Sequence, residues 1–132
     1  MTRMAKGKVG LGRRGETLAA DVLERQGFTL VARNWHCVEG EVDLIARRGG
    51  EWYFIEVRTR RGNRYGAPEE SLTPRKQARM AAVARHYLAE HVDALDVTWH
   101  LSLVAVGMDT SGRLQRITVY PDLESEPWEI TF

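Results

Sequence analysis

Two apolar runs, Val42-Asp43-Leu44-Ile45-Ala46 and Trp52-Tyr53-Phe54-Ile55-Glu56-Val57, flank Arg48-Gly49-Gly50-Glu51. A Gly-Gly pair between β-prone segments predicts a two-residue hairpin, because both central residues must accept positive φ. If Arg48 pairs with Glu51, then Ala46 opposes Tyr53, Leu44 opposes Ile55, Asp43 opposes Glu56 and Glu41 opposes Arg58. Upstream, from about Gly12 to Gln26, Ala19, Ala20 and Leu23 recur at helical spacing, with Gly27 at C′. A further strand is expected near residues 28–34. Thr73 reads as the N-cap and Pro74 as N1 of a second helix ending near His91, with Met80, Val83, Ala84, Tyr87 and Leu88 on its buried face. Val97 to Met108 reads as a strand, Asp109-Thr110-Ser111-Gly112 as a turn, and Arg113 to Tyr120 as the antiparallel partner. The tail from Glu126 to Phe132 alternates apolar residues, which suits docking on the sheet or on another subunit. The fold expected is α/β, a mixed sheet flanked by helices in one domain over residues 1–132. Residues 1–11 are expected to be a flexible basic N-terminus and residues 121–132 a tail.

Directly opposed carboxylates are destabilising, so the Asp43–Glu56 pair calls for compensation by a divalent cation, a shared proton or a nearby base. Hard oxygen ligands of this kind suit Mg²⁺ or Mn²⁺. The competing reading is a solvated ladder of Glu41, Asp43, Glu56 and Arg58. Glu56, however, interrupts an apolar run of the type buried on both faces, where a charge needs a partner. The Val57 carbonyl, next in sequence, would be a further oxygen ligand. Glu16 extends the apolar stripe of the first helix back by one turn, which suits either a ligand or a first-turn carboxylate favoured by the helix dipole.

These residues resemble a known family. Glu16 on a helix, Asp43, and Glu56-Val57-Arg58 after twelve intervening residues resemble the PD-(D/E)XK nuclease superfamily. More closely, Gly15-Glu16, Gly27-Phe28, Asn34, Gly40-Glu41-Val42-Asp43-Leu44-Ile45, Phe54-Ile55-Glu56-Val57-Arg58, Tyr65-Gly66 and the basic helix near Lys76 resemble the bacterial UPF0102 (YraN-like) proteins. These are related to Holliday junction resolvases. The resemblance implies a restriction-endonuclease-like core and a metal set of Glu16, Asp43, Glu56 and the Val57 carbonyl. It implies Mg²⁺- or Mn²⁺-dependent hydrolysis of DNA, including branched or structured DNA. One position departs from the pattern: Arg58 stands where the superfamily usually has lysine. Arginine stays protonated and is a poor base, yet it can hold a phosphate bidentately. The alternative is a catalytically inactive nucleic-acid-binding protein that keeps the fold.

Charge distribution sharpens the choice of partner. The formal net charge is only +1, but residues 1–85 carry 17 Lys/Arg against 10 Asp/Glu, and residues 86–132 carry 2 against 8. Arg13 and Arg14 precede Glu16; Arg60, Arg61 and Arg64 follow Glu56; Arg75 and Lys76 open the second helix. Cations bracketing an acidic pair suit a phosphodiester backbone, and DNA is the expected partner. Lys76 lies on the same line as Met80, Val83 and Tyr87, which suits either an approach to the site or, the favoured assignment for this residue taken alone, an ordinary surface lysine. The single Cys37 makes no internal disulfide, and no apolar run is long enough to span a membrane, so the cytoplasm is expected. His36, His86, His91 and His100 show no metal-ligand spacing with one another or with Cys37. A homodimer would suit a junction-cleaving enzyme.

Overall fold

The computed structural model of the chain describes residues 6–62, 72–92 and 97–132, with side chains from residue 10 onward. Arg64, Tyr65 and the other residues of the 63–71 segment lie outside the described residues. Helix α1 (Lys6–Arg25) is followed by strands β1 (Thr29–Cys37), β2 (Gly40–Arg48) and β3 (Glu51–Arg61). Helix α2 (Pro74–His91) leads to β4 (Trp99–Met108), β5 (Leu114–Tyr120) and β6 (Trp128–Thr131). The six strands form one mixed sheet in sequence order; β3 and β4 pair in parallel and every other neighbouring pair is antiparallel. The helix expected from Gly12 begins instead at Lys6. The tail expected to dock on the sheet does so as β6, which pairs Ile130 with Ile117 and Trp128 with Val119.

Local chemistry sets the element ends. The Phe28 amide donates to the Leu23 carbonyl at 3.0 Å and the Gly27 amide to the Glu24 carbonyl at 3.1 Å, which satisfies carbonyls left open at the end of α1. Thr73 caps α2 by accepting the Lys76 amide at 3.1 Å, with Pro74 as first helical residue. Gly49 and Gly50 take φ of 59° and 81°, and the hairpin closes in the expected register from Arg48↔Glu51 through Leu44↔Ile55.

Both sheet faces are covered, and for that reason the β3 run is continuously apolar. Tyr53 and Ile55 face α1, where they pack in a cluster with Ala19, Leu23 and Val104. Trp52 and Phe54 face α2 and join Val83, Ala84 and Tyr87. Strict alternation fails at one place in β2: Leu44 belongs to the α1 side, yet Val42 belongs to the α2 side. The pleat therefore slips at Asp43. Among the described residues, no helix is long and apolar enough to cross a membrane.

Candidate metal and phosphate site

The slip at Asp43 organises the site. Asn34 of β1, between the residues paired with Val42 and Leu44, takes a positive φ of 52°, so the irregularity crosses both strands. The β2–β3 ladder ends at Leu44↔Ile55, one pair before the expected Asp43↔Glu56 match. In an unbroken register the Val57 amide would donate to the Val42 carbonyl. Instead it donates to Asp43 Oδ2 at 2.8 Å. The expected pairing of Glu41 with Arg58 is absent from the ladder for the same reason. Glu41 pairs across β1 with His36 and is exposed.

Glu56 is 7% exposed. Its Oε2 lies 3.3 Å from Arg58 Nη2 and 3.1 Å from Lys76 Nζ, so two cations compensate one buried carboxylate. Lys76 reaches it from the first turn of α2, so the surface assignment favoured for this lysine gives way to an ion pair with a buried acid. Arg58 Nε is buried with no hydrogen-bond partner, leaving one strong donor unused. The carboxyl of Asp43 is pushed up to about 7, by burial first and by the charge of Glu56 next. The Val57 hydrogen bond works against that rise, and Glu16 and Glu41 add to it.

Glu16 owes its place to its neighbour. A Cβ on Gly15 would stand 1.9 Å from Thr59 Oγ1 and 3.1 Å from Thr59 Cβ, so α1 crosses β3 at a separation that only glycine permits. Glu16 is half-buried at that crossing. Glu16, Asp43 and Glu56 are nonetheless not drawn into one ligand sphere. Among the described residues, the set of three His, Cys, Asp or Glu ligand atoms mutually within 4.8 Å is Cys37, Glu39 and His86. Glu56 is turned toward Arg58 and Lys76, and Asp43 is committed to an amide, which accounts for the separation.

The cations sort into two groups. Arg14 and Arg61 lie against the β4–β5 turn: a side chain on Gly112 would meet Arg61 Nη2 at 3.2 Å and Arg14 Nη1 at 3.5 Å, and Arg61 Nε donates to the Thr110 carbonyl at 3.2 Å. This turn drew no functional reading from sequence, because its contacts with residues 14 and 61 arise only once β4 lies beside β3. Arg13 and Arg75 are exposed, Arg60 is half-buried with Nη1 on the Thr59 carbonyl at 3.4 Å, and Arg64 lies outside the described residues.

The profile of the uncharacterised protein family UPF0102 matches residues 15–106 of this chain. The chain belongs to the UPF0102 family. A UPF0102 protein of Acidothermus cellulolyticus is 42% identical over 128 residues, covering 94% of this chain and 96% of that protein. One from Roseiflexus castenholzii is 41% identical over 109 residues, covering 83% and 86%, and one from Leifsonia xyli is 52% identical over 77 residues, covering 58% and 64%. The span matched to the UPF0102 profile starts at Gly15, where α1 meets β3, and takes in Glu16, Asp43, Glu56, Arg58 and Lys76.

Proposed function

We propose that this protein is a metal-dependent endonuclease that hydrolyses DNA phosphodiester bonds, with branched or otherwise structured DNA as its substrate. One observation carries the reading: where β2 and β3 part, the buried carboxylate of Glu56 is held by Arg58 and Lys76, and Asp43 closes the gap through the next amide. A salt-bridge ladder on an open sheet face would not bury its acid or leave a guanidinium donor unused inside the protein.

The donor set fits a hard cation. Glu16, Asp43, Glu56 and the Val57 carbonyl would all offer oxygen once Glu56 turns from its ion pairs, and the charge crowded on Asp43 would be relieved by Mg²⁺ or Mn²⁺. When bound, such an ion polarises the phosphoryl group and acidifies the attacking water. Arg58, permanently charged, grips the scissile phosphate and offers its free Nε as one tine of the fork. Lys76, which reaches Glu56 from α2, orients the attacking water and adds positive charge beside the phosphate. Turning Glu56 from its ion pairs toward the cation frees both basic groups for substrate. Arg13, Arg14, Arg60, Arg61, Arg64 and Arg75 hold the flanking backbone, which makes binding steeply salt-dependent. A homodimer would present two such sites to a four-way junction, and action on DNA would suit a cytoplasmic protein.

The ion pairs of Arg58 and Lys76 also favour a second reading, an inactive nucleic-acid-binding protein, since they neutralise Glu56 with protein groups alone. Cleavage of duplex and four-way junction DNA with Mn²⁺ separates the two. Asp43→Ala and Lys76→Met are each expected to lower the rate by roughly 10²–10⁴-fold while retaining DNA binding. DNA binding without cleavage by the wild type, unaltered by Arg58→Lys or by metal, would leave the binding-protein reading in place.

A further inference from the structure

A second cluster of metal-ligating side chains lies on the α2 side of the molecule, built from residues 37, 39 and 86. Cys37 ends β1, Glu39 sits in the β1–β2 turn and His86 is in the fourth turn of α2. Gly40 lets the hairpin end lie on the helix; a Cβ there would meet the Arg79 stem at 3.1 Å and Val83 at 3.6 Å. Cys37 Sγ lies 3.2 Å from Glu39 Oε1, and His86 Nδ1 lies 2.6 Å from the same oxygen. The other ring nitrogen, Nε2, is 3.0 Å from Glu90 Oε2 one helical turn along.

We infer that Cys37, Glu39 and His86 form a binding site for a zinc-type divalent cation, distinct from the all-oxygen set at Asp43 and Glu56. Carboxylates can only accept, so two of them on one imidazole require a positive species on at least one side. On the Nε2 side the ring's own N–H meets Glu90. On the Nδ1 side the position is filled by a proton or by a metal ion, and a thiol sulfur converges on the same point. That arrangement, with a carboxylate on the outer nitrogen of a ligating histidine, fixes the tautomer that turns a lone pair toward an ion. Sulfur, nitrogen and oxygen donors together suit Zn²⁺ and not Mg²⁺. Bond lengths of about 2.0–2.3 Å to a tetrahedral ion put ligand atoms roughly 3.3–3.7 Å apart. The Cys37–Glu39 separation is already near that range, and the His86–Glu39 contact has to open by less than about 1 Å. With His86 and Glu39 side chains 28% and 41% exposed, the fourth position belongs to solvent. Binding would release the thiol and imidazolium protons and tie the β1–β2 hairpin to α2.

Co²⁺ titration of the reduced full-length protein tests this, because a thiolate ligand gives a charge-transfer absorption that an all-carboxylate site cannot produce. One equivalent is expected to raise the thiolate band together with the visible bands of a tetrahedral ion, and Zn²⁺ is expected to displace both. Cys37→Ser removes the charge-transfer band and His86→Ala removes the tetrahedral signature. Glu90→Gln, which leaves all three ligands in place, weakens the affinity by about 10–100-fold. Asp43→Ala leaves the band intact, so the outcome is independent of the nuclease reading. No thiolate band in the folded wild type, or the same spectrum and affinity in His86→Ala, would overturn the site.

Discussion

Burial first, and the charge of Glu56 next, act against ionisation of Asp43. Its carboxyl is pushed up to about 7 from the ordinary value of 3.8, so the folded chain holds this proton more tightly than the unfolded chain does. Between about pH 4 and 7 the native state carries the extra proton and its stability falls as pH rises; above 7 the full cost is present, and below 4 it vanishes. Asp43→Asn keeps an oxygen for the Val57 amide and removes the charge. Its expected effect in chelator at pH 8 is a stabilisation on the order of 2–4 kcal/mol that fades toward pH 4, measured by denaturant unfolding. Equal or lower stability at pH 8 would mean that the carboxylate is not strained in the folded chain. The nearness of Asp43 to Glu56 was legible from hairpin arithmetic alone. The capture of the Val57 amide was not, because it depends on the slipped pleat and on Asn34 in a left-handed conformation.

Elements carry the next level of control. Gly15 ordinarily marks a weak point in a helix, and alanine there gains about 1 kcal/mol from propensity. Here the added methyl would collide with Thr59, a β-branched residue with little rotamer freedom. Gly15→Ala is expected to destabilise by roughly 1–3 kcal/mol and to shift Glu16, and Thr59→Ala is expected to recover part of the loss in a double-mutant cycle. Additive single effects would show that α1 does not pack on β3 through this contact. At the N-terminal ends of the two central strands, His100 bridges Glu51 at 2.6 Å and Asp122 at 2.7 Å, linking β3, β4 and the segment before β6. Burial lowers its pKa, but the hydrogen bonds it makes to the Asp122 and Glu51 carboxylates outweigh burial and leave it raised. That stabilisation is complete below the unfolded value near 6.5 and is lost as pH climbs through the raised folded value. The stability difference between wild type and His100→Gln should therefore shrink from pH 6 to pH 9; a constant difference would make His100 a packing residue. The helix start at Lys6 escaped sequence reading because Gly7, Gly10 and Gly12 argue against a helix there.

At the scale of the whole molecule, the sheet order follows from connections the sequence already punctuated. A two-residue turn makes β2 and β3 antiparallel, and a helix between β3 and β4 makes them parallel. The alternating tail had no assigned partner until β5 presented a free edge. Contacts across long separations were the illegible part: Cys37 with His86, and the 109–113 turn with Arg14 and Arg61, depend on how α2 and β4 lie over the hairpin. The basic two-thirds of the chain holds Glu16, Asp43 and Glu56, while the acidic remainder contributes mainly sheet. The nuclease reading depends on the proposed hard-cation site at these carboxylates. Its most direct test is calorimetric titration of Mn²⁺ into the Cys37→Ser protein, in which the sulfur-containing site is removed, and into the same protein carrying Asp43→Ala or Glu56→Ala. Saturable binding that disappears in both acid variants, with the fold intact by circular dichroism, is the predicted result. Absence of binding in the Cys37→Ser protein, or undiminished binding after both acid substitutions, would contradict it.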